Sequence, residues 1–379
     1  MNLLQNIDVK NKTVILRCDL NVTIKDGIIQ SDERIKASLE TINYLINENA
    51  KVIIMSHLGR VKTEEDKENN SLKPVYEVLK DMLNAKTYFS NTTRGVKLEE
   101  MINNLNYGEV LLMENTRFED INNKKESNCD EELVNCWSTL GDIFIHDAFG
   151  MTHRRHASTY GLFKKMNSAI GFLVQKEIAG LAPVINPEHP FVVLMSGAKV
   201  KDKIKLMADI LEKCDYLLVG GGIANTFLSL NKTIGTSLVD NESIEAVKEL
   251  LNKYSNKIIL PIDAVVTSTE IKSINNIEAD EAIFDIGPET IKKYTEYINQ
   301  AKTIFINGTV GMYEDDRYAA GTKEILNICS KASAKTILGG GDALASAEKF
   351  NIKDFDFIST GGGASLDYIG TGKLNGLED

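Results

Sequence analysis

Cysteine is scarce and scattered in this chain of 379 residues. The five, Cys18, Cys129, Cys136, Cys214 and Cys329, are odd in number and never spaced as Cys-x-x-Cys, so neither a disulfide framework nor a zinc site is indicated. Reduced core thiols are expected. Long apolar runs are missing too: none reaches the length that crosses a bilayer, and the opening Met1 to Asp8 has no basic segment followed by an apolar one. The expected location is therefore cytoplasmic. Positive charge is in deficit, with 43 Lys and Arg against 54 Asp and Glu and a net charge of -11, which argues against nucleic acid or a membrane surface as partner. Local anion sites are compatible with that balance. There is no short repeat and no low-complexity tract, and the Lys/Glu/Asn-rich stretch from Lys62 to Asn70 reads as a solvated loop.

What is present is a regular alternation of aliphatic strands and helical spacing. The chain is longer than one hydrophobic core usually supports, which suggests two domains. Strands are expected at Thr13 to Val22, Lys51 to Ser56, Val110 to Met113 and Asp142 to His146, with helices from Arg34 to Leu45, near Val75 to Leu83 and near Glu131 to Leu140. After the loop-like Asn186-Pro187-Glu188-His189-Pro190 the pattern restarts at Phe191 to Met195. The fold class is α/β: two doubly wound parallel-sheet (Rossmann-like) domains joined by a hinge helix. Residues 1–168 are expected to form an N-terminal domain and 169–365 a C-terminal one, with a connector helix near 165–185.

Four strand-to-glycine turns mark the second half. They are Val219 to Gly222, Ile306 to Gly311, Leu338 to Asp342 and Ser359 to Ala364, the first and the last two with three consecutive glycines before a helix. Glycine lets backbone approach a ligand, and the free N–H groups of a helix start attract phosphate. Any one such turn could serve without a ligand; four in one half suggest a nucleotide-phosphate cradle. Ser196 to Lys203 follows a strand, and Lys199 and Lys203, four apart on one helical face, favour an anion between them. Asp342 is placed to meet nucleotide-bound Mg2+ or to cap its helix. No Gly-x-x-x-x-Gly-Lys-[Ser/Thr] sequence occurs, and no Gly-x-Gly-x-x-Gly turn opens the chain.

Arginine divides the halves. Of eight, Arg17, Arg34, Arg60, Arg94, Arg117, Arg154 and Arg155 precede residue 156, and only Arg317 follows. Arg60, Arg117 and Arg154 sit just past expected strands, where guanidinium groups with His57 and His153 would grip a small, multiply anionic substrate. Surface ion pairing is the plainer account of any single one. His146 and His189 read as packed or solvent-exposed.

These motifs, ordered from Arg17-x-Asp19-x-Asn21-Val22 through Ser56 to Arg60, Asp147 to His156, Gly197 to Lys203, Gly220 to Thr226, Asp285 to Thr290, Asn307 to Glu314 and Gly339 to Asp342 to Gly361 to Gly363, span essentially the full length. The chain resembles the phosphoglycerate kinases. The resemblance implies reversible phosphoryl transfer between 1,3-bisphosphoglycerate and ADP, giving 3-phosphoglycerate and MgATP, by a monomer. By the same resemblance Asp19, Leu20, Asn21, Arg34, His57, Leu58, Gly59, Arg60, Arg117 and Arg154 bind the phosphoglycerate. Gly197, Ala198, Lys203, Gly221, Gly222, Asn307, Glu314, Gly340, Gly341, Asp342 and Ala343 meet the nucleotide, with Asp342 at Mg2+. Arg34, Lys199 and the helix starts at Gly340, Gly341, Gly362 and Gly363 surround the phosphoryl group in flight. Residues 366–379 return toward the N-terminal domain, and the chain ends somewhat short of the family's usual tail. Ser196 stands where the family has glycine, Thr309 where it has proline, and Ala343 where it has serine or threonine.

The chemistry suits this inventory. The acceptor is a carboxylate already ionised at neutral pH, so no general base is needed; positioning and positive potential are. Two other classes stay open, a non-catalytic nucleotide or metabolite sensor and a dinucleotide-dependent dehydrogenase, the second lacking its fingerprint turn.

Overall fold

The computed structural model describes residues 1–379 apart from Lys199, Asp202 and Asp379. The chain divides into two units, one of residues 1–178 with the residues from Lys373 onward, the other Ala179–Gly372. The division falls inside the helix Phe172–Ile185.

The first unit is built on β1 (Asn2–Leu3), β2 (Thr13–Cys18), β3 (Lys51–Met55), β4 (Thr87–Phe89), β5 (Val110–Leu112), β6 (Ile143–Asp147) and β7 (Asn167–Ile170). All pairings are parallel, in the order β1-β7-β6-β2-β3-β5-β4. A parallel sheet covered on both faces needs strands that are aliphatic throughout, and side chains of period two then feed two separate cores. Val14, Leu16, Val52 and Ile54 pack into one, with Ile35, Ile42 and Leu45 of the helix Glu33–Asn47; Ile15, Ile53, Met55 and Phe144 pack into the other, with Leu133 and Trp137 of Glu131–Ser138. From β2 the chain builds outward first through β3 and later, on the other side, through β6. The strand order therefore reverses at β2, the place where ligands of open α/β sheets bind at the carboxyl ends.

Asp147, the last residue of β6, is fully buried and accepts N–H bonds from Leu173 at 2.9 Å and Val174 at 3.3 Å, at the start of the helix Phe172–Ile185. Burial pushes its carboxyl up to about 7, against the bonds it accepts from Thr41, Val174 and Leu173. A folded pKa raised above the unfolded value of about 3.9 gives stability that is present below that value and lost as pH rises toward 7. Asp147→Asn keeps the acceptor oxygen without the charge. Its stability relative to the native chain should be near parity at pH 4 and higher by on the order of 2 kcal/mol at pH 8, read from urea melts at the two pH values. An offset that does not change with pH would contradict this.

The second unit has β8 (Phe191–Ser196), β9 (Tyr216–Gly220), β10 (Ile258–Ile259), β11 (Thr303–Asn307), β12 (Lys335–Gly339) and β13 (Phe357–Ser359), parallel in the order β10-β9-β8-β11-β12-β13. Val192, Leu194, Leu218, Ile304, Ile306 and Leu338 share one core with Tyr294 and Ile298 of the helix Pro288–Gln300. A three-stranded antiparallel sheet, Asp263–Val266, Ile271–Ser273 and Ile283–Ile286, stands beside it.

The expected strands and helices occur to within a few residues, with two differences in kind. Residues 19–22 leave the strand after Cys18, because Asp19 and Asn21 are committed to loop contacts. Within the expected loop, Asp66–Asn69 forms one helical turn, started by the Asp66 carboxylate accepting the N–H groups of Lys62 and Thr63. All five cysteines are free, with Cys18, Cys214 and Cys329 buried. Among the described residues no helix is long and apolar enough to cross a membrane.

Candidate active site

In the first unit the segments leaving β2, β3, β5 and β6 meet at one edge of the sheet and are tied to one another by buried polar side chains. Ser56 Oγ accepts the N–H of Leu20 at 2.9 Å, and Asn21 Oδ1 accepts that of Gly59 at 2.8 Å. Gly59 has φ +59°, and a Cβ there would lie 1.9 Å from Asn70 Oδ1, so only glycine fits. Asn115 is the hub. Fully buried, it accepts the N–H groups of Leu58 (3.2 Å) and Arg117 (3.0 Å) and donates to the carbonyls of Leu58 and Asn70 (2.7 Å each). Glu114 beside it accepts from Leu72 N–H, Ser71 Oγ and its own neighbour's N–H.

Onto this frame the structure brings the expected arginines. Arg34 Nη1 lies 2.8 Å from both carboxylate oxygens of Asp19, with 45% of its side chain exposed. Arg60 and Arg154 are exposed, and Arg154 Nε donates to His153 Nε2 at 3.0 Å. Arg117 Nε is buried without a hydrogen-bond partner among the described residues. Burial pulls the Arg117 pKa down and the nearby charges of Arg154 and Arg60 add to this, against Asp120 and Glu126. His57 and His156, both buried, feel the same field. Burial and then Arg17, Arg117 and Arg34 hold His57 well below the usual histidine range; burial, Arg117, Arg17 and Arg154 push His156 down to about 3. Arg34 has Asp19 as partner, but Arg60, Arg117 and Arg154 form no ion pair among the described residues, and the positive potential they leave would suit a multiply charged anion. His146, at 0% exposure, is packed, and His189 pairs with Asp215 at 2.6 Å on the surface.

In the second unit the glycine turns also cluster at the carboxyl ends of their strands. Gly221 N–H donates to Val310 carbonyl at 3.2 Å, Ile223 N–H to Gly197 carbonyl at 3.1 Å, and the Ser196 hydroxyl to Thr309 carbonyl. Added Cβ atoms at Gly222 and Gly308 would strike the backbone of Ala198 and Ser196. Asn307 donates to Gly339 carbonyl at 2.9 Å, while its buried Oδ1 has no partner among the described residues. By contrast Gly341, Gly362 and Gly363 have nothing within 4 Å of an added Cβ, so the first turns of Gly341–Lys349 and Gly363–Thr371 face open space. Gly340 (φ +97°) and Gly362 (φ +56°) precede those turns in left-handed conformations, with no side chain capping either helix. Asp342 is exposed on the first turn and does not cap; Ala343 is fully buried, its methyl in the core. Glu314 is exposed, and Lys349 reaches its backbone carbonyl at 3.4 Å.

Lys203 corrects one expectation. It is the residue before the helix Ile204–Lys213, not part of a helical face, and its ammonium donates to Ser196 carbonyl beside Gly197 and Gly308. Gly197 (φ +149°) departs from helical geometry, and the helix begins only at Ile204. Lys199 lies outside the described residues. Sequence reasoning missed Asn115, Glu126, Ser158 and His156 as parts of this edge. Asn115 carried a usable signal, following a strand as Ser56 and Asp19 do; Glu126 and Ser158 carried none.

Two parallel α/β units, one presenting arginine and the other glycine at its strand ends, belong to a transferase of the kinase class. The profile of the family described as phosphoglycerate kinase matches residues 4–373. The chain belongs to the phosphoglycerate kinase family. It is 46% identical over 384 residues to the phosphoglycerate kinase of Macrococcus caseolyticus, covering 98% of this chain and 97% of that one, and 46% identical over 383 residues, with the same coverage, to that of Listeria monocytogenes serotype 4b. Among solved structures, that of phosphoglycerate kinase from Coxiella burnetii superposes with a TM-score of 0.90 at 36% identity, covering 99% of this chain and 97% of the other. That of the Pyrococcus horikoshii enzyme gives 0.84 at 32%, covering 100% and 98%. The reaction is the family's glycolytic one, reversible phosphoryl transfer between 1,3-bisphosphoglycerate and ADP.

Proposed function

We propose that the first unit binds the phosphoglycerate and the second the adenine nucleotide. Asp19, Leu20, Asn21, Arg34, His57, Leu58, Gly59, Arg60, Arg117 and Arg154 make the first site. The observation that carries it is the guanidinium field around His57 and His156, with Arg117 Nε buried and unsatisfied. Neutral imidazoles suit this reaction, since the carboxylate acceptor has no proton to give up.

For the nucleotide, Gly197, Ala198, Gly221 and Gly222 line the purine, Asn307 and Glu314 contact the nucleotide, and Lys203 with the open turns at Gly340–Ala343 holds the phosphates. The open helix starts at Gly341 and Gly363, with Arg34 and Lys199, stabilise the transferring phosphoryl group. Among the described residues no group of three or more His, Cys, Asp or Glu could hold a metal, whereas the single exposed carboxylate of Asp342 fits Mg2+, which is bound through one or two carboxylates plus phosphate oxygens. Mg2+ brought with ATP would neutralise phosphate charge. Hinge closure that excludes water belongs to this reading, because an acyl phosphate would otherwise hydrolyse. A cytoplasmic monomer completes it.

The deciding test is a coupled assay of ATP consumption. Turnover that requires both 3-phosphoglycerate and Mg2+ is expected; ATP binding without turnover would make the protein a sensor. Gly340→Ala probes the second site alone. Its Cβ would lie 2.5 Å from Asn307 Nδ2 at φ +97°, displacing Asn307 from Gly339. KM for ATP should rise about tenfold with KM for 3-phosphoglycerate unchanged, the cost of one displaced buried hydrogen-bond partner. An unchanged KM for ATP would remove Gly340 and Asn307 from the nucleotide site.

A further inference from the structure

Arg17 is an arginine at 0% exposure at the end of β2, beside the substrate edge, with a role the proposed site does not use. Its three nitrogens are all engaged. Nε donates to Ser158 Oγ at 2.9 Å, Nη1 to the carbonyl of Cys18, and Nη2 lies 3.2 Å from His57 Nδ1. Ser158 passes the link on: its hydroxyl donates to Glu126 Oε1 and its N–H to Glu126 Oε2 at 2.9 Å. Glu126, also at 0% exposure, is thus the counter-charge of Arg17 through one hydroxyl, 109 residues along the chain.

A guanidinium has donors and no acceptor, so a ring nitrogen in contact with it must present a lone pair. We infer that Arg17, anchored by Ser158 and Glu126, is a positioning residue that holds the imidazole of His57 in the tautomer with its proton on Nε2. The ring then offers an anion one N–H and cannot exchange that role for another. The groups that act most strongly on His57 are Arg17, Arg117, Arg34 and His156, each of which opposes a second proton, while the carboxylates beside them, Asp19 on Arg34 and Glu126 behind Ser158, are already engaged by other donors. His57 therefore remains a fixed, uncharged donor through neutral pH, and the grip on substrate gains no pH dependence from it.

Nitrogen-15 spectra of the histidine rings in the intact protein test this, with His57 assigned by its loss in His57→Gln. The expected pattern is an unprotonated Nδ1 and a protonated Nε2 that do not change between about pH 6 and pH 8. A proton on Nδ1, or a ring titrating near the ordinary value of about 6.5, would overturn the inference. In the double variant Arg17→Met/Glu126→Gln, which removes both buried charges, Nδ1 loses the donor that fixes it as the acceptor, so signals of both tautomers should appear while burial, Arg117 and Arg34 still keep the ring uncharged, and KM for 3-phosphoglycerate should rise about tenfold. KM for ATP should not move. A folded variant that keeps the native tautomer would refute the assignment; if the variant does not fold, the native spectra decide alone. The kinetic arm rests on the substrate reading of the first unit. Addition of 3-phosphoglycerate that leaves the His57 signals unmoved would fault that reading and leave the tautomer assignment standing.

Discussion

Arg34→Ala is expected to lower kcat by about 10²–10³-fold, the loss typical of removing one preorganised electrostatic donor to the transition state. KM for ATP should stay within about twofold, since Arg34 belongs to the first unit and the nucleotide site is proposed for the second. The structure shows why the effect should be on rate rather than on folding. Arg34 rests with nearly half its side chain in solvent on Asp19, whose own side chain is 12% exposed, and a pair open to water on one side is worth on the order of 1 kcal/mol, too little to unfold the unit. Such a partner is easily given up when a phosphoryl group offers a denser negative charge. Steady-state kinetics and a urea melt of the same sample separate the two effects. Native turnover in Arg34→Ala would end its assigned role, and a large loss of stability would mean that the ion pair had been misjudged.

Asn115→Ala should act in the opposite manner, through the frame. It strands the N–H groups of Leu58 and Arg117 and the carbonyls of Leu58 and Asn70, all at a side chain with no exposure. Four partners lost at once in a buried network should cost on the order of 3–5 kcal/mol, seen in the unfolding transition of the first unit. Because the same bonds fix the turns that carry Arg60 and Arg117, KM for 3-phosphoglycerate should rise as well, with KM for ATP unaffected. A variant as stable as the native chain would show that the loops are held by something else.

The strands that carry the site were legible because parallel strands buried on both faces must be aliphatic along their whole length, as Val14 to Leu16 and Val52 to Ile54 are. Short strands such as Thr87–Phe89 and Asn167–Ile170, and the antiparallel sheet at 263–286, have too few residues or too mixed a pattern to give a period. The helical position expected for Lys203 failed because spacing alone does not say where a helix begins; this one begins at Ile204.

The sequence by itself determined the kind of molecule: two parallel α/β units, arginine at the strand ends of one and glycine at those of the other, and the family those motifs mark. Both follow from local rules, side-chain period and backbone freedom, that act over a few residues. Only the tertiary structure decided that Arg17 is buried rather than substrate-facing, that Glu126 and Ser158 lie beneath it, and that burial and neighbouring guanidinium groups together disfavour a second proton on His57 and His156. Those outcomes depend on which groups from distant segments exclude water together, and a charge's environment is set by that enclosure rather than by its neighbours in the chain.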